Sequence, residues 1–258
     1  MLKCVVSLLK LHLFNISDRI DLSLKYIKGN GLEIGAMHFP LPVAPDVCVR
    51  YVDVHSRLEN IARYPEIDCA KVVETDFVED GFKLASFEDG CVDFVIANHV
   101  LEHTDNPLGT LRNWSRVLKG EGILFVSVPN YLKCFDRGRK LTALEHLIKD
   151  YNDATTAPEL VKQRNLHHYR EWVEISLPAA RSTNKTIELP ENYKKDAWIE
   201  NMVAKGEEIH FHTFNYSLFN SMLVNFCSEI DSSLKLIKIY NSSQYFELIA
   251  ILQKSFIA

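Results

Sequence analysis

The feature that most restricts this chain is a series of short apolar runs, each closed by polar residues and separated from the next by a loop or a helical pattern. "GLEIGA" (31–36) is the first run. "CVRYVDVH" (48–55) follows and ends at Asp53, and "AKVVETDF" (70–77) ends at Asp76. A fourth run lies in "CVDFVIANHVLEH", where Val92 to Ala97 are apolar apart from Asp93, and a fifth is "GILFVSVPN" (122–130). Helical patterns fit between them at "SRLENIARY" and at "PLGTLRNWSRVLKG", the second with a glycine stop. Short buried runs alternating with helices predict an α/β fold with a doubly wound, mostly parallel sheet covered on both faces.

The rhythm breaks after Asn130. From Tyr131 to about His212 the sequence is polar, aromatic and rich in histidine, with helical patterns at "LTALEHLIKDY" and "RNLHHYREWVEISL" and a loop pattern at "RSTNKTIELPENYKKD". Beyond it "NYSLFNSMLVNFCSEI" reads as a helix. "LKLIKIYNSSQYFELIAILQK" reads as two strands around Asn241-Ser242-Ser243, a turn short enough to make them antiparallel. The expected layout is seven strands with an antiparallel last one and a mainly helical insertion after the fifth. It forms a single domain over 1–258, with 131–213 as an inserted acceptor-side lid.

Composition narrows the function classes. The 258 residues are 47% hydrophobic and 24% charged, which fits a globular core, and the net charge of −5 argues against a phosphate-backbone binder. The six cysteines form no CxxC pair, as expected of free thiols in a reducing cytoplasm. "MLKCVVSLLKLHLF" is interrupted by Lys10 and His12 and lacks a cleavage pattern, so it reads as an amphipathic helix rather than a signal; no run is long enough to cross a bilayer. No residue pattern sets an oligomeric state.

In an open sheet of this kind ligands sit beyond the carboxyl ends of the strands. Those ends carry Glu33, Gly35 and Ala36; then Asp53, twenty residues past Glu33; then Asp76 and Phe77; then Asn98 and His99. A lone acid after a strand is commonly a helix cap. Four such positions in sequence point instead to a nucleoside-like ligand, with a carboxylate for ribose hydroxyls and another for an exocyclic amine.

The stretch "LEIGA…VRYVDV…VETDF…CVDFVIANHVLEHTDNP…RVLKGEGILFVSVPN" resembles the S-adenosylmethionine-dependent methyltransferases of the Rossmann-like, seven-stranded class. The resemblance covers Gly31 to Asn130, and the terminal strand pair is similar to the reversed last strand of that fold. "VLEH…NPLGTLRNWSRVLKGEGILFVSVPN" looks like the small-molecule members, and the inserted region looks like a subgroup associated with surface-glycan or sugar modification. The resemblance implies S-adenosylmethionine as cofactor. It places Glu33, Gly35 and Ala36 at the methionine end, Asp53 on the ribose and Val54 along the adenine. It further implies Asp76 at the adenine amine with Phe77 beside it, Asn98 and His99 near the reactive methyl, and Asp93 as an ordering residue. The chain departs from the pattern at Met37, where the family commonly has glycine, and continues with Pro40, Pro42 and Pro45. S-Adenosylmethionine has no pyrophosphate, so fewer glycines are needed than in a dinucleotide loop.

Proton removal from a hydroxyl acceptor needs a base near the end of the fourth strand. A helix beginning near Leu101 would set His99 and His103 on one face with Glu102 alongside, which suits a general base or a divalent metal; for Glu102 a structural role is the favoured reading. The insertion adds His146, His167, His168, His210 and His212, with Glu145, Asp150, Glu171 and Trp172 close by. His146, His168, His210 and His212 are the candidate acceptor contacts, and His210-x-His212 could supply two ligands to a structural metal. The sequence leaves the metal open. The expected activity is O-methylation of a small molecule or sugar in the cytoplasm. The alternatives are a methyltransferase-like binding protein without transfer, and a nicotinamide-dependent oxidoreductase.

Overall fold

In the computed structural model, residues 16–183, 189–191, 193–240 and 246–256 are described. The expected leading helix over 1–14 and the expected turn at 241–243 lie outside them. Seven strands form one sheet: β1 (Asn30–Ile34), β2 (Cys48–Asp53), β3 (Phe77–Val78), β4 (Val92–Asn98), β5 (Leu118–Pro129), β6 (Leu234–Tyr240) and β7 (Glu247–Lys254). Their order is β3-β2-β1-β4-β5-β7-β6, with β7 antiparallel to both β5 and β6 and every other pairing parallel. The direction of winding reverses between β1 and β4, so the crevice for a ligand opens beyond Ile34 and Asn98.

The central strands are buried and mostly apolar over their middle residues because both faces are covered. In β5 the last eight residues are all buried, and in β7 all but one are. Helices α1 (Ile16–Tyr26), α2 (Arg57–Arg63), α3 (Pro107–Val117) and α8 (Tyr216–Asn225) flank the sheet, with Trp114 of α3 fully buried and its indole N–H donating to the Gly81 carbonyl at 2.8 Å. The exposed edge β6 carries Lys235 and Lys238, charges that discourage pairing with another chain.

Two expectations about the sheet are corrected. The third run does not form a strand ending at Asp76. Asp68 caps a 3₁₀ turn at Cys69–Lys71, and the following residues hold single backbone bonds, Val73 N to Met37 O and Asp76 N to Tyr51 O. The ladder proper is only Val52–Phe77 and Asp53–Val78, so Asp76 precedes β3 instead of closing it. The glycines of "LKGEG" do not stop α3 either. That helix ends at Val117 and passes directly into β5, where the register against β4 shifts between Val92 and Phe94.

Between β5 and α8 lie α4 (Leu144–Thr156), α5 (Pro158–Glu171), a π-helical segment (Trp172–Ser176), α6 (Leu177–Thr183) and α7 (Asp196–Lys205). Leu147 of α4 joins the main core. Trp172, Val173, Leu177, Ile199, Met202 and Ile209 form a second, smaller core inside the inserted region.

Candidate active site

Gly35 follows β1 at φ +65°, and a Cβ there would approach the Val100 side chain to 3.2 Å. The chain therefore turns here at a residue without a side chain. Met37, at the position where a glycine is expected, also takes a left-handed conformation, φ +46°. Glu33 is 1% exposed and accepts from the Leu41 N–H with both carboxyl oxygens, at 2.9 and 3.1 Å. Burial pushes its carboxyl up to about 7, against the pull of that hydrogen bond. Glu33 thus pins the proline-rich loop from beneath and does not line the cavity that opens above it.

That cavity has a volume of about 680 Å³. Gly35, Ala36, Asp53, Val54, Asn98 and His99 of the predicted set line it. Asp53 accepts from the His55 N–H at 2.9 Å, and burial raises its carboxyl above the ordinary carboxylate range. Asp76 and Phe77 are not brought there. Asp76 takes the Tyr51 N–H at 2.7 Å, and Phe77 packs edge-on against Phe87 with Arg50 over its face. The turn after β3 supplies Asp80, Gly81 and Phe82 to the cavity in their place. A Cβ on Gly81 would come within 2.5 Å of Ile34 Cγ2, so this turn can lie against β1 only as glycine. The Asp80-Gly81 dipeptide was the available sequence signal.

At the end of β4, Asn98 accepts from Ser127 Oγ at 3.0 Å and His99 adopts φ +55°. His99 Nε2 lies 3.0 Å from Glu247 Oε2, and the ring stacks on Phe246 with centroids 5.6 Å apart. Glu247 is buried on β7 and also receives the Arg19 guanidinium, with Nε at 2.7 Å from Oε1 and Nη2 on Oε2. Burial opposes its ionisation, yet Arg19 and His99 hold the carboxyl well below the usual range. Nothing in the sequence pattern pointed to Arg19, Phe246 or Glu247.

The expected helix face bearing His99 and His103 does not exist. After the left-handed His99 the chain makes a single 3₁₀ turn, Leu101–His103, and the two rings have separate partners. His103 exposes only an edge. Its Nδ1–H donates to the Ile209 carbonyl at 3.0 Å, and desolvation with His210 nearby pushes it down to about 3. Glu102 between them is fully buried, lies 3.6 Å from His99 Nδ1 and 4.0 Å from His210 Nε2, and has no hydrogen bond to either carboxyl oxygen. Burial pushes this carboxyl up as well.

The insertion forms the opposite wall through Phe135, Tyr169, Glu207, His210 and Phe211. His210 Nδ1 donates to Asp136 Oδ2 at 2.6 Å. Asp136 also takes Arg139 at 3.1 Å and Ser176 Oγ at 2.7 Å, and Arg139 donates to the His210 and Phe211 carbonyls at 2.7 and 3.0 Å. Of the four predicted acceptor contacts only His210 reaches the cavity. His146, His168 and His212 gather elsewhere, around Asp150. His210 and His212 are alternate residues of an extended segment whose polar partners differ, so the expected His-x-His pair is split between two clusters.

Residues 37–126 match the model of the methyltransferase domain family. No curated protein matches the chain. Among solved structures it is similar to a Listeria monocytogenes protein assigned provisionally as an S-adenosylmethionine-dependent methyltransferase, at 10% identity and TM-score 0.50, covering 93% of this chain and 98% of that one. It is also similar to the N-methyltransferase NodS from Bradyrhizobium japonicum, at 13% identity and TM-score 0.47, covering 93% and 94%. A third similar structure is an S-adenosylmethionine-dependent methyltransferase from Aquifex aeolicus, at 12% identity and TM-score 0.44, covering 95% and 93%. The site's own residues fit that cofactor: a glycine turn crowding Val100, the Asp53 carboxylate, and the apolar faces of Val54 and Phe82 share one cavity. The matched residues 37–126 span β2 to β5, so the family model covers the strand-end wall of the cavity and about a third of the chain.

Proposed function

We propose that the chain methylates a hydroxyl of a small polar acceptor, of sugar or glycan type, held between the strand ends and the insertion. The observation that carries this reading is one continuous cavity with the Gly35–Met37 turn, Asp53 and Phe82 on one side, His210 and Phe211 on the other, and His99 between. Asp53 would hold the ribose hydroxyls and Val54 would lie along the adenine. The adenine-edge roles expected of Asp76 and Phe77 pass to Asp80 and Phe82. When bound, S-adenosylmethionine supplies an electrophilic methyl on a sulfonium sulfur.

His99 is the base in this reading. Its ring would take the hydroxyl proton, and the imidazolium so formed lies between two carboxyl groups, Glu247 at 3.0 Å from Nε2 and Glu102 at 3.6 Å from Nδ1. His103, neutral and bonded to Ile209, positions the 209–211 segment instead. Residues 131–213 act as the acceptor-side lid, with the Asp136–Arg139 network fastening it. A cytoplasmic setting is supported by five unpaired thiols among the described cysteines. Among the described residues no helix is long and apolar enough to cross a membrane. Net charge argues for an acceptor other than nucleic acid.

Calorimetry separates the readings. S-Adenosylmethionine and S-adenosylhomocysteine are expected to bind and NAD to give no heat; the reverse pattern indicates the oxidoreductase. Incubation with a panel of sugars, followed by mass spectrometry, then distinguishes transfer from binding alone: no methylated product from any hydroxyl acceptor overturns the O-methyltransferase reading.

A further inference from the structure

Outside the cavity, the side chains of His146, Asp150, His168 and His212 converge. His146 and Asp150 stand one turn apart on α4, His168 is in the last turn of α5, and His212 lies in the extended segment that leads to α8. One ligand-capable atom from each falls within 4.8 Å of all the others. His146 Nε2 is 3.0 Å from His168 Nε2 and 3.1 Å from Asp150 Oδ2, and His212 Nε2 is 3.9 Å from Asp150 Oδ2. Ligand atoms about 2.0–2.1 Å from a tetrahedral ion stand roughly 3.3 Å from one another, within the range of these separations.

Hydrogen bonding does not account for the cluster. Asp150 is 2% exposed and His212 is 1% exposed, yet Asp150 Oδ2 and the His212 Nε2 that faces it lack a hydrogen-bond partner. Leaving such groups unsatisfied in a core is costly, because their desolvation is not repaid. The carboxylate is already oriented: Arg164 Nε donates to Asp150 Oδ1 at 2.5 Å while Arg164 Nη1 holds Asp153 at 2.9 Å, which leaves Oδ2 turned to the imidazoles. An outer partner that fixes one oxygen and presents the other is the usual support of a metal-binding carboxylate.

We propose that His146, Asp150, His168 and His212 bind one divalent transition-metal ion of zinc type. Three imidazoles and a carboxylate select a borderline ion over magnesium or calcium, which take oxygen ligands. Four protein ligands close the coordination sphere, and none of them lines the cavity, so the ion is structural. It ties α4, which packs on the main core through Leu147, to α5 and to the segment that carries His210 and Phe211 into the cavity. The ion thereby fixes the insertion against the sheet. The second trio, Glu102, His103 and His210, offers three ligands where the first offers four, and it lies in the cavity wall, so it does not form a closed structural set.

The full chain, stripped with chelator and dialysed, is titrated with Zn²⁺ alone by calorimetry, and with Co²⁺ alone to read its visible absorption. One equivalent of Zn²⁺ is expected, with a raised melting temperature and the intense d–d bands of tetrahedral cobalt. Asp150→Asn and His212→Gln should each lower Zn²⁺ affinity by more than about 100-fold, Arg164→Gln by about 10- to 100-fold, and His167→Ala, one residue away but exposed, should leave it unchanged. A wild-type chain that takes up no Zn²⁺ overturns the proposal, whatever the variants do. So does octahedral cobalt absorption, or a site lost in Glu102→Gln but retained in Asp150→Asn. Should a variant fail to fold, the wild-type stoichiometry and cobalt spectrum decide the question.

Discussion

The strand-end wall of the cavity takes its residues from successive turns beyond one sheet, whereas the insertion wall takes Phe135, Tyr169 and His210 from three segments that meet only in the folded chain. The first wall is held by backbone geometry: left-handed residues at Gly35, Met37 and His99, and a glycine at Gly81 that lets two elements touch. The second is held by buried charge, with Asp136, Arg139 and His210 bonded to one another and to main-chain carbonyls. A wall set by sheet topology tolerates side-chain change away from its turns. One set by a buried ionic network fails as a unit when one member is removed.

The largest effect is expected where the two walls meet. His99→Asn keeps a residue that accepts positive φ but removes the proton acceptor, and should cut turnover by roughly 10²- to 10⁴-fold with S-adenosylmethionine affinity unchanged. Steady-state kinetics beside calorimetry reads this; turnover within a factor of two of wild type would move the base elsewhere. Next, Asp136→Ala leaves His210 buried without its carboxylate and Arg139 with the Glu171 carboxylate alone, and should destabilise the chain by about 3–5 kcal/mol. Urea unfolding measures it, and a loss under ~1 kcal/mol would mean that the insertion wall is not held by this network. Asp53→Ala tests the other wall. It should weaken S-adenosylmethionine binding by roughly 10- to 100-fold, the value of hydrogen bonds to a charged group, with the melting temperature little changed.

How much of this was legible depends on what places each residue. β1, β4 and β5 were readable because a strand covered on both faces is apolar along most of its buried length, β2 was readable as a β-branched run although only Val52 of it is buried, and Asp53, Asn98 and His99 followed as strand-end residues. Asp76 misled because "AKVVETDF" has strand composition but spends its length in a 3₁₀ turn and an extension held by single backbone bonds, leaving only Phe77 in the ladder. His99 and His103 were expected to share a helix face, and the positive φ of His99 is invisible to a pattern count. Arg19 and Glu247 were out of reach for another reason. They are 228 residues apart, and only the pairing of β7 beside β5 brings Glu247 to the end of β4. The histidines of the insertion were seen as a cluster. Their division into a cavity group and the Asp150 group needed the folded segment around 209–214.

Glu33 and Met37 sharpen the comparison within the strand-end wall, since one holds the loop by a buried carboxyl and the other by backbone conformation. The Glu33 carboxyl sits at about 7 in the fold against an ordinary value of 4.5, because burial disfavours its charge. Its protonated form therefore favours the folded state: the contribution is fully present below about pH 4.5 and is lost as pH rises through about 7. Glu33→Gln, which keeps an acceptor for Leu41, should flatten the fall in melting temperature across that window. An unchanged slope would show that another group sets it.

Met37→Gly is expected to have the smallest effect, and its sign is informative. A non-glycine residue in the left-handed region costs about 1–2 kcal/mol, while glycine returns about 0.5–1 kcal/mol of that through the greater freedom of its unfolded chain. The net gain should be under ~1 kcal/mol by urea unfolding. Val73 N–H donates to the Met37 carbonyl at 2.8 Å, a backbone bond that the substitution leaves in place, so the loop should keep its path. Cofactor affinity should then stay within about twofold, because the turn itself and not the methionine side chain forms the cradle. A large loss of affinity instead would mean that Met37 contacts the ligand, and that this wall, like the insertion, depends on its side chains.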